Sequence, residues 1–146
     1  MIIFEKIQMN KTIIIFLRNK LVSIDTILPL MFEIKKRNPL IDIKFYTTDF
    51  KTFNIIKKNY VLYNGINNIG SINFIGRENK KIIYTFLNRV KYIKLFLKIF
   101  FLLLTNKAHI IHFSLLNYFP WKLFYYFNKN NIILFEKTWM TKLEFD

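Results

Sequence analysis

The chain has 146 residues, which is enough for about one domain with a hydrophobic core. Its 53% hydrophobic content with only 3 glycines and 3 prolines excludes a disordered or collagen-like chain, and the absence of cysteine excludes disulfides and thiol chemistry. A formal net charge of +14 favours an anionic partner, which could be a nucleic acid, an anionic membrane or a phosphorylated substrate.

Apolar segments of strand length alternate with longer segments of helical periodicity. We predict strands over residues 12–17, 41–47, 71–76, 108–114 and 131–137. We predict helices over residues 26–37, 49–62, 80–105 and 120–129, and turn residues over 63–70. This alternation predicts a single α/β domain with a Rossmann-like, doubly wound parallel sheet of about five strands.

Two loops of this predicted sheet form the candidate site. In doubly wound sheets, ligands bind beyond the carboxyl ends of the strands where the strand order switches, so the loops after the first and fourth strands matter most. They read RNKLVSID (18–25) and SLLNYF (114–119). The first loop contains no glycine, and neither the dinucleotide-binding glycine motif nor the Walker lysine motif is present. Any ligand would therefore be bound by side chains.

Asp25 follows the first strand, and two interpretations of it are open. As a helix N-cap, its carboxylate would accept backbone N–H groups, with Pro29 in the early helix where those groups have no partner to lose. As a general base at the carboxyl edge of the sheet, it would act beside Arg18 and Lys20, which would hold an anionic ligand. Both roles are compatible only if one carboxylate oxygen stays exposed.

The fourth predicted strand carries both histidines of the chain, His109 and His112. Residues three apart in a strand point to opposite faces, so the two imidazoles cannot share a metal ion, and we predict no metal site. His112 and Ser114 lie toward the carboxyl end of the strand, where either could face a ligand. A buried or edge position is expected for His109.

The predicted helix 80–105 has a basic amphipathic pattern. Its bases are Lys91, Lys94 and Lys98, and its apolar stripe is Phe86, Val90, Ile93, Leu97 and Phe101. One interpretation packs the stripe on the sheet and leaves the lysines in solvent. The other docks the helix on an anionic membrane surface. Near IFFLLL (99–104) the helix is apolar almost all round, so its end is expected to be deeply buried, inserted in lipid or covered by a partner.

The basic residues are spread along the whole chain, which argues against nucleic acid as the partner. Abundant Ile, Lys, Asn and Phe are also typical of an A/T-rich coding sequence, which offers a second explanation of the charge. The most apolar segment, 92–104, is too short to span a bilayer, and we see no signal peptide at the N-terminus. We expect a cytoplasmic protein, or one bound peripherally to the inner face of the cytoplasmic membrane.

The stretch 16–50 resembles the start of the ADP-heptose:lipopolysaccharide heptosyltransferases, inverting glycosyltransferases of the GT-B fold. In that family a strand leads to a basic residue, an acid, a helix with an early proline, and a second proline before the next strand. Here these pieces are Arg18, Asp25, Pro29, Pro39 and IDIKFYT. The residue before the acid is Ile24, where the family has glycine, and alignment on Pro29 places Ser23 at the acid position instead.

The resemblance implies that Asp25 deprotonates an acceptor hydroxyl that attacks a nucleotide-sugar, without a metal or other cofactor. Arg18 and Lys20 would steady an anionic saccharide or lipid-linked acceptor, together with Ser23, His112 and Ser114. The donor would be bound by a second, carboxyl-terminal lobe, absent here or supplied by a separate chain. We therefore expect the acceptor-side half of an enzyme of surface polysaccharide or lipopolysaccharide assembly, inactive alone. The alternative is a non-enzymatic, basic protein associated with a membrane surface.

Overall fold

The computed structural model of the chain describes residues 11–17, 22–75, 82–113 and 120–134, without the side chains of 22–23 and 82–88. The elements are β1 (Thr12–Phe16), α1 (Val22–Arg37), β2 (Asp42–Thr47), α2 (Phe50–Lys58), α3 (Tyr60–Ile69), β3 (Gly70–Phe74), α4 (Ile82–Leu104), β4 (Ala108–His112), α5 (Leu123–Asn128) and β5 (Ile132–Leu134). A short 3₁₀ turn (Lys129–Asn131) leads into β5.

The five strands form one parallel sheet in the order β3-β2-β1-β4-β5. The chain first builds outward from β1 through β2 to β3, and then crosses to the other side of β1 to add β4 and β5. This confirms the predicted α/β fold with a Rossmann-like, doubly wound sheet. Strands covered on both faces must be apolar on both faces, which explains the continuous run of isoleucines in β1.

Two hydrophobic cores lie on opposite faces of the sheet. Ile13 and Ile15 of β1 enter the core formed with α1, α2 and α3. Ile14 and Phe16 enter the core formed with α4 and the segment around α5, which includes the fully buried Trp121. Burying each of these large side chains contributes roughly 1.5–3 kcal/mol, so β1 is stabilised from both faces.

Helix α1 begins four residues earlier than predicted, at Val22 instead of residue 26. The reason is Ile24, which is fully buried and continues the apolar stripe of the helix backward by one turn. The interpretation of Asp25 as the N-cap is therefore wrong, because Asp25 lies inside the first turn. Pro29 lies in the helix interior, and it has no N–H to donate to the carbonyl of Asp25 four residues earlier.

The predicted helix 49–62 is two helices that meet at Asn59. Asp49 is the N-cap of α2, and its carboxylate accepts hydrogen bonds from the backbone N–H and hydroxyl of Thr52 at 2.9 and 2.6 Å. The N–H of Asn59 closes α2, and its side chain caps α3 by accepting from Leu62 N at 3.2 Å. The predicted turn at 63–70 is wrong, since burial of Ile66 in the core holds this segment helical.

The remaining boundaries differ from the predictions by a few residues. The first, third and fourth strands end one or two residues early, and the last residues predicted for the fifth, 135–137, lie outside the described residues. Helix α4 ends where Asn106 adopts a positive φ of 54°. The N–H groups of Asn106 and Lys107 donate to the carbonyls of Leu103 and Leu102, which satisfies the helix end. In the described part of the chain, no helix has the length and hydropathy needed to cross a membrane.

Candidate functional site

The carboxyl ends of β1 and β4 lie side by side, because Phe16 is in register with His112. The connection that leaves β1 runs to α1 and β2 on one side, whereas the connection that leaves β4 runs to α5 and β5 on the other. This is the switch in strand order at which doubly wound sheets bind ligands. A site between these two loops is predicted from the sequence, and the strand order places the ends of β1 and β4, from which the loops start, side by side.

Asp25 is exposed, whereas the preceding Ile24 is fully buried in the core beneath α1. The buried isoleucine anchors the first turn and leaves the carboxylate on the solvent side. An acidic side chain in the first turn of a helix is favoured by the positive end of the helix dipole. Asp25 is therefore an accessible carboxylate in the first turn of the helix that follows β1, and accessibility is what a general base requires.

Four other residues predicted for the site lie wholly or partly outside the described residues. Arg18, Lys20 and Ser114 lie outside the described residues. Ser23 is the second residue of α1, but its side chain is also outside the description. Their contacts with an anionic acceptor stay predictions. Whether Ser23 or Asp25 occupies the family's acid position also stays open.

His112 is the last residue of β4, at the predicted edge, but its ring is completely buried. Its Nε2 lies 2.5 Å from the hydroxyl of Tyr125 on α5, and none of the described residues hydrogen-bonds to its Nδ1. Burial lowers the pKa of His112 to about 4, so the imidazole is neutral at pH 7. A direct contact between this ring and an acceptor would need the ring to become accessible, and it stays a prediction.

Aromatic side chains pack at the carboxyl ends of the central strands. Tyr46 of β2, Phe16 of β1 and His112 of β4 are neighbours across three strands. The ring of Trp121 packs against Phe16 with centroids 4.9 Å apart, and Tyr125 meets His112. Trp121 and Tyr125 were not predicted for the site, although their spacing of four residues in the predicted helix 120–129 indicates a shared face.

No cluster of three metal-ligating side chains occurs within residues 11–17, 22–75, 82–113 and 120–134. His109 is in register with Ile13 and His112 with Phe16, and these two partners enter opposite cores. The two imidazoles therefore face opposite sides of the sheet, as predicted. His109 is buried, as expected.

The lysines predicted to face a membrane, Lys91, Lys94 and Lys98, are all exposed on α4. The interpretation that packs Val90, Ile93, Leu97 and Phe101 on the sheet is wrong, because these four side chains are exposed as well. Other residues of α4 contact the sheet, among them Phe96, Ile99 and Leu103. The side chain of Phe86 lies outside the description.

Comparison of the chain with protein-family models, curated proteins and solved structures finds no match. The features that bear on function are therefore the fold, the exposed Asp25 in the first turn of α1, and the exposed surface of α4.

Proposed function

We propose that this chain is the acceptor-side half of an inverting glycosyltransferase. It would transfer a sugar from a nucleotide-sugar to a phosphorylated or lipid-linked saccharide during surface polysaccharide or lipopolysaccharide assembly. The observation that carries the proposal is Asp25, an exposed carboxylate in the first turn of the helix that follows β1. The resemblance to the heptosyltransferases puts the catalytic acid at the same point in the order of elements.

In the proposed reaction, an acceptor hydroxyl oxygen forms a bond to the anomeric carbon as the bond from that carbon to the diphosphate oxygen breaks. The hydroxyl proton passes to the carboxylate of Asp25, and the nucleoside diphosphate leaves with the electron pair of the broken bond. Attack opposite the leaving group inverts the configuration. A positioned general base contributes about 10²–10⁴-fold to such a rate.

The proposal divides binding between two lobes. Arg18, Lys20, Ser23 and Ser114 would bind the anionic acceptor, and His112 would line the same edge. The diphosphate of the donor would be held by a second lobe, on a separate chain or in further sequence. The protein described here would then have little or no transferase activity by itself.

The test joins this chain to the product of any adjacent downstream reading frame and measures sugar transfer from nucleotide-sugars to phosphorylated saccharides. Asp25→Asn keeps the size of the side chain and removes the base, so the rate is expected to fall at least 100-fold. Asp42→Asn is the matched control, because Asp42 is an exposed aspartate at the amino end of β2, on the opposite edge of the sheet. Its rate should equal that of the wild type.

Equal activity of Asp25→Asn and the wild-type protein in the joined enzyme would reject Asp25 as the base. Failure of every nucleotide-sugar to react, with a folded joined protein, would reject the glycosyltransferase function itself.

A further inference from the structure

Helix α4 has a face that contacts the sheet. The residues of this face recur at spacings of three and four, and they pack in the core that α4 and the segment around α5 form with the sheet: Tyr92, Phe96, Ile99 and Leu103. The ring of Phe96 stacks on Phe124 with centroids 4.8 Å apart. This face satisfies the usual requirement of a helix on a sheet, so the helix does not need a second apolar face for folding.

A second apolar stripe nevertheless runs along the solvent side of α4. It consists of Val90, Ile93, Leu97, Phe101 and Leu104, at spacings of three and four, and we call it the exposed α4 face. The exposed fraction of these side chains runs from 47% at Leu97 to 61% at Phe101. The stripe is about 21 Å long at 1.5 Å per residue. Contiguous apolar surface of this kind on a protein marks a binding surface.

The apolar surface continues from α4 onto α5. Phe127 is 49% exposed, and its ring meets Phe100 of α4 edge-on with centroids 4.7 Å apart. Tyr126 beside it is exposed as well. Aromatic side chains that combine an apolar ring with a polar tip favour the boundary between a membrane and water.

The charged residues of α4 are all basic. The helix contains Arg89, Lys91, Lys94 and Lys98, all exposed, and no aspartate or glutamate. The three lysines form a row about 90° around the helix axis from the exposed α4 face. On a helix lying in a membrane interface, that flank is at the level of the phosphate headgroups while the apolar stripe reaches the acyl boundary.

We propose that the exposed α4 face docks on a bilayer surface rich in anionic phospholipids. The proposal does not depend on glycosyl transfer and would hold for a protein without catalytic activity. Acyl chains would cover the apolar stripe, and lipid phosphates would pair with the lysine row. One partner then contacts both the apolar stripe and the lysine row.

Other occupants use only one of the two features. A second copy laying its own α4 on this face would cover the stripe, but it would bring four more bases and no carboxylate from that helix. A nucleic acid would neutralise the lysines, but its phosphate backbone would leave the apolar stripe uncovered. An anionic membrane surface satisfies both the apolar and the basic residues.

The experiment measures binding of the full chain to phosphatidylcholine vesicles and to vesicles containing about a third phosphatidylglycerol, by flotation at low and high salt. We expect binding to the anionic vesicles alone, weakened by salt. Replacing Lys91, Lys94 and Lys98 by glutamine should weaken it on the order of 100-fold, at about fivefold per lysine. The matched control replaces the exposed Lys36, Lys51 and Lys58 on the opposite face of the sheet, with the same loss of charge and a small effect.

Insertion of the apolar stripe can be followed separately, because the chain contains no cysteine. Leu97→Cys, labelled with an environment-sensitive fluorophore, should shift to the blue on anionic vesicles. Val61→Cys is the control, since Val61 is 77% exposed on α3, on the other side of the sheet, and its label should not shift. Circular dichroism would check that each variant is folded.

Three results would overturn the proposal. One is the absence of binding to anionic vesicles at low salt. Another is an equal loss of binding in the two triple-lysine variants, which would make the contact depend on net charge alone. The third is evidence that another partner covers this face. That evidence would be a dimer in sedimentation, or a complex with an oligonucleotide, which is abolished by Ile93→Asn or by the replacements of Lys91, Lys94 and Lys98. Vesicle binding would in that case be absent, or unchanged by the same replacements.

Discussion

His112 links the candidate site to the stability of the sheet. Its ring is fully buried at the end of β4, and burial disfavours the charged imidazolium. The pKa of His112 is lowered from 6.5 to about 4 in the folded protein. Between these two pH values the unfolded chain takes up a proton that the folded protein does not, so the free energy of unfolding decreases as the pH falls.

We expect His112→Gln to flatten this pH dependence, because glutamine takes up no proton. For one proton, the free energy of unfolding of the wild-type protein should fall by up to about 1.4 kcal/mol per pH unit below pH 6.5. Urea unfolding between pH 7 and pH 5 measures it, above the range in which most carboxylates titrate. The difference between variant and wild type isolates the contribution of His112.

Tyr125→Phe separates the effect of burial on the His112 ring from the effect of the Tyr125 hydroxyl. It removes the hydroxyl that meets Nε2 but keeps most of the aromatic cover, so a dependence caused by burial should persist. If the free energy of unfolding changes with pH equally in His112→Gln and in the wild-type protein, then the pKa of His112 is not lowered by folding and His112 does not cause the loss of stability at low pH.

Asp25 shows how far single residues can be interpreted from the sequence. Its position close to the start of the helix that follows β1 was predicted, and the structure places it in the first turn of α1 as an exposed residue. Its role in the helix was not, because Asp25 before an apolar stripe is typical of an N-cap. The earlier start of the helix could have been predicted from Ile24, since it extends the apolar stripe at a spacing of three from Ile27. The burial of His112 depends on α5 and could not be inferred from β4 alone.

At the scale of elements, α3 and β3 are joined without a loop, since α3 ends at Ile69 and β3 begins at Gly70. Gly70 is in register with Ile43 of β2, and a Cβ atom there would lie 2.0 Å from the Ile43 carbonyl oxygen. That oxygen is backbone and cannot move without disturbing the sheet. The glycine is therefore required by close approach of two strands.

Gly70→Ala is expected to lower the free energy of unfolding by about 1–3 kcal/mol, the range for overpacking. Gly65→Ala is the matched control, because its Cβ would meet the flexible end of Leu28 at 3.3 Å. In a helix interior alanine is favoured over glycine by up to about 1 kcal/mol, so this variant should be neutral or more stable. Thermal and urea unfolding measure both, and a Gly70→Ala protein as stable as the wild type would contradict the close approach.

Two elements show where local sequence patterns mislead. The segment 63–70 is rich in asparagine and glycine and predicts a turn, but its buried isoleucines hold residues 63–69 in α3. Helix α4 has apolar residues on more than one side, so two different stripes fit the spacing of a helix on a sheet. The sequence could not decide between them. The contacts of Trp121 and Phe124 with Phe96 decide it, and these depend on tertiary packing.

At the scale of the whole molecule, the alternation of strands and helices was sufficient to predict the fold class, because parallel strands need long crossovers. A candidate site at the switch in strand order was predicted from that fold, and it stays a prediction. What that site binds did not follow, since Arg18, Lys20 and Ser114 lie outside the described residues. The net charge of +14 indicated an anionic partner, and the exposed apolar and basic residues of α4 are the described surface for which we propose that contact.

The strand order also predicts how the molecule opens. β1 has hydrogen-bonded neighbours on both sides, and residues 13–16 are at most 1% exposed. β3 and β5 are the two edges, and alternate residues of β3 are exposed. Amides at the edges can exchange through local opening, whereas amides of β1 require both cores to separate.

We therefore expect native-state hydrogen exchange to give the largest protection at Ile14, Ile15 and Phe16, with a free energy equal to that of global unfolding. The amides of β3 and β5 should exchange through smaller openings, with free energies that depend less on added urea. Gly70→Ala should lower the protection of β1 by the same free energy that it removes from global stability. Protection in β3 or β5 equal to that of β1 would mean that the sheet opens as one unit, because two-sided burial of β1 would then add nothing to the cooperativity of the edges.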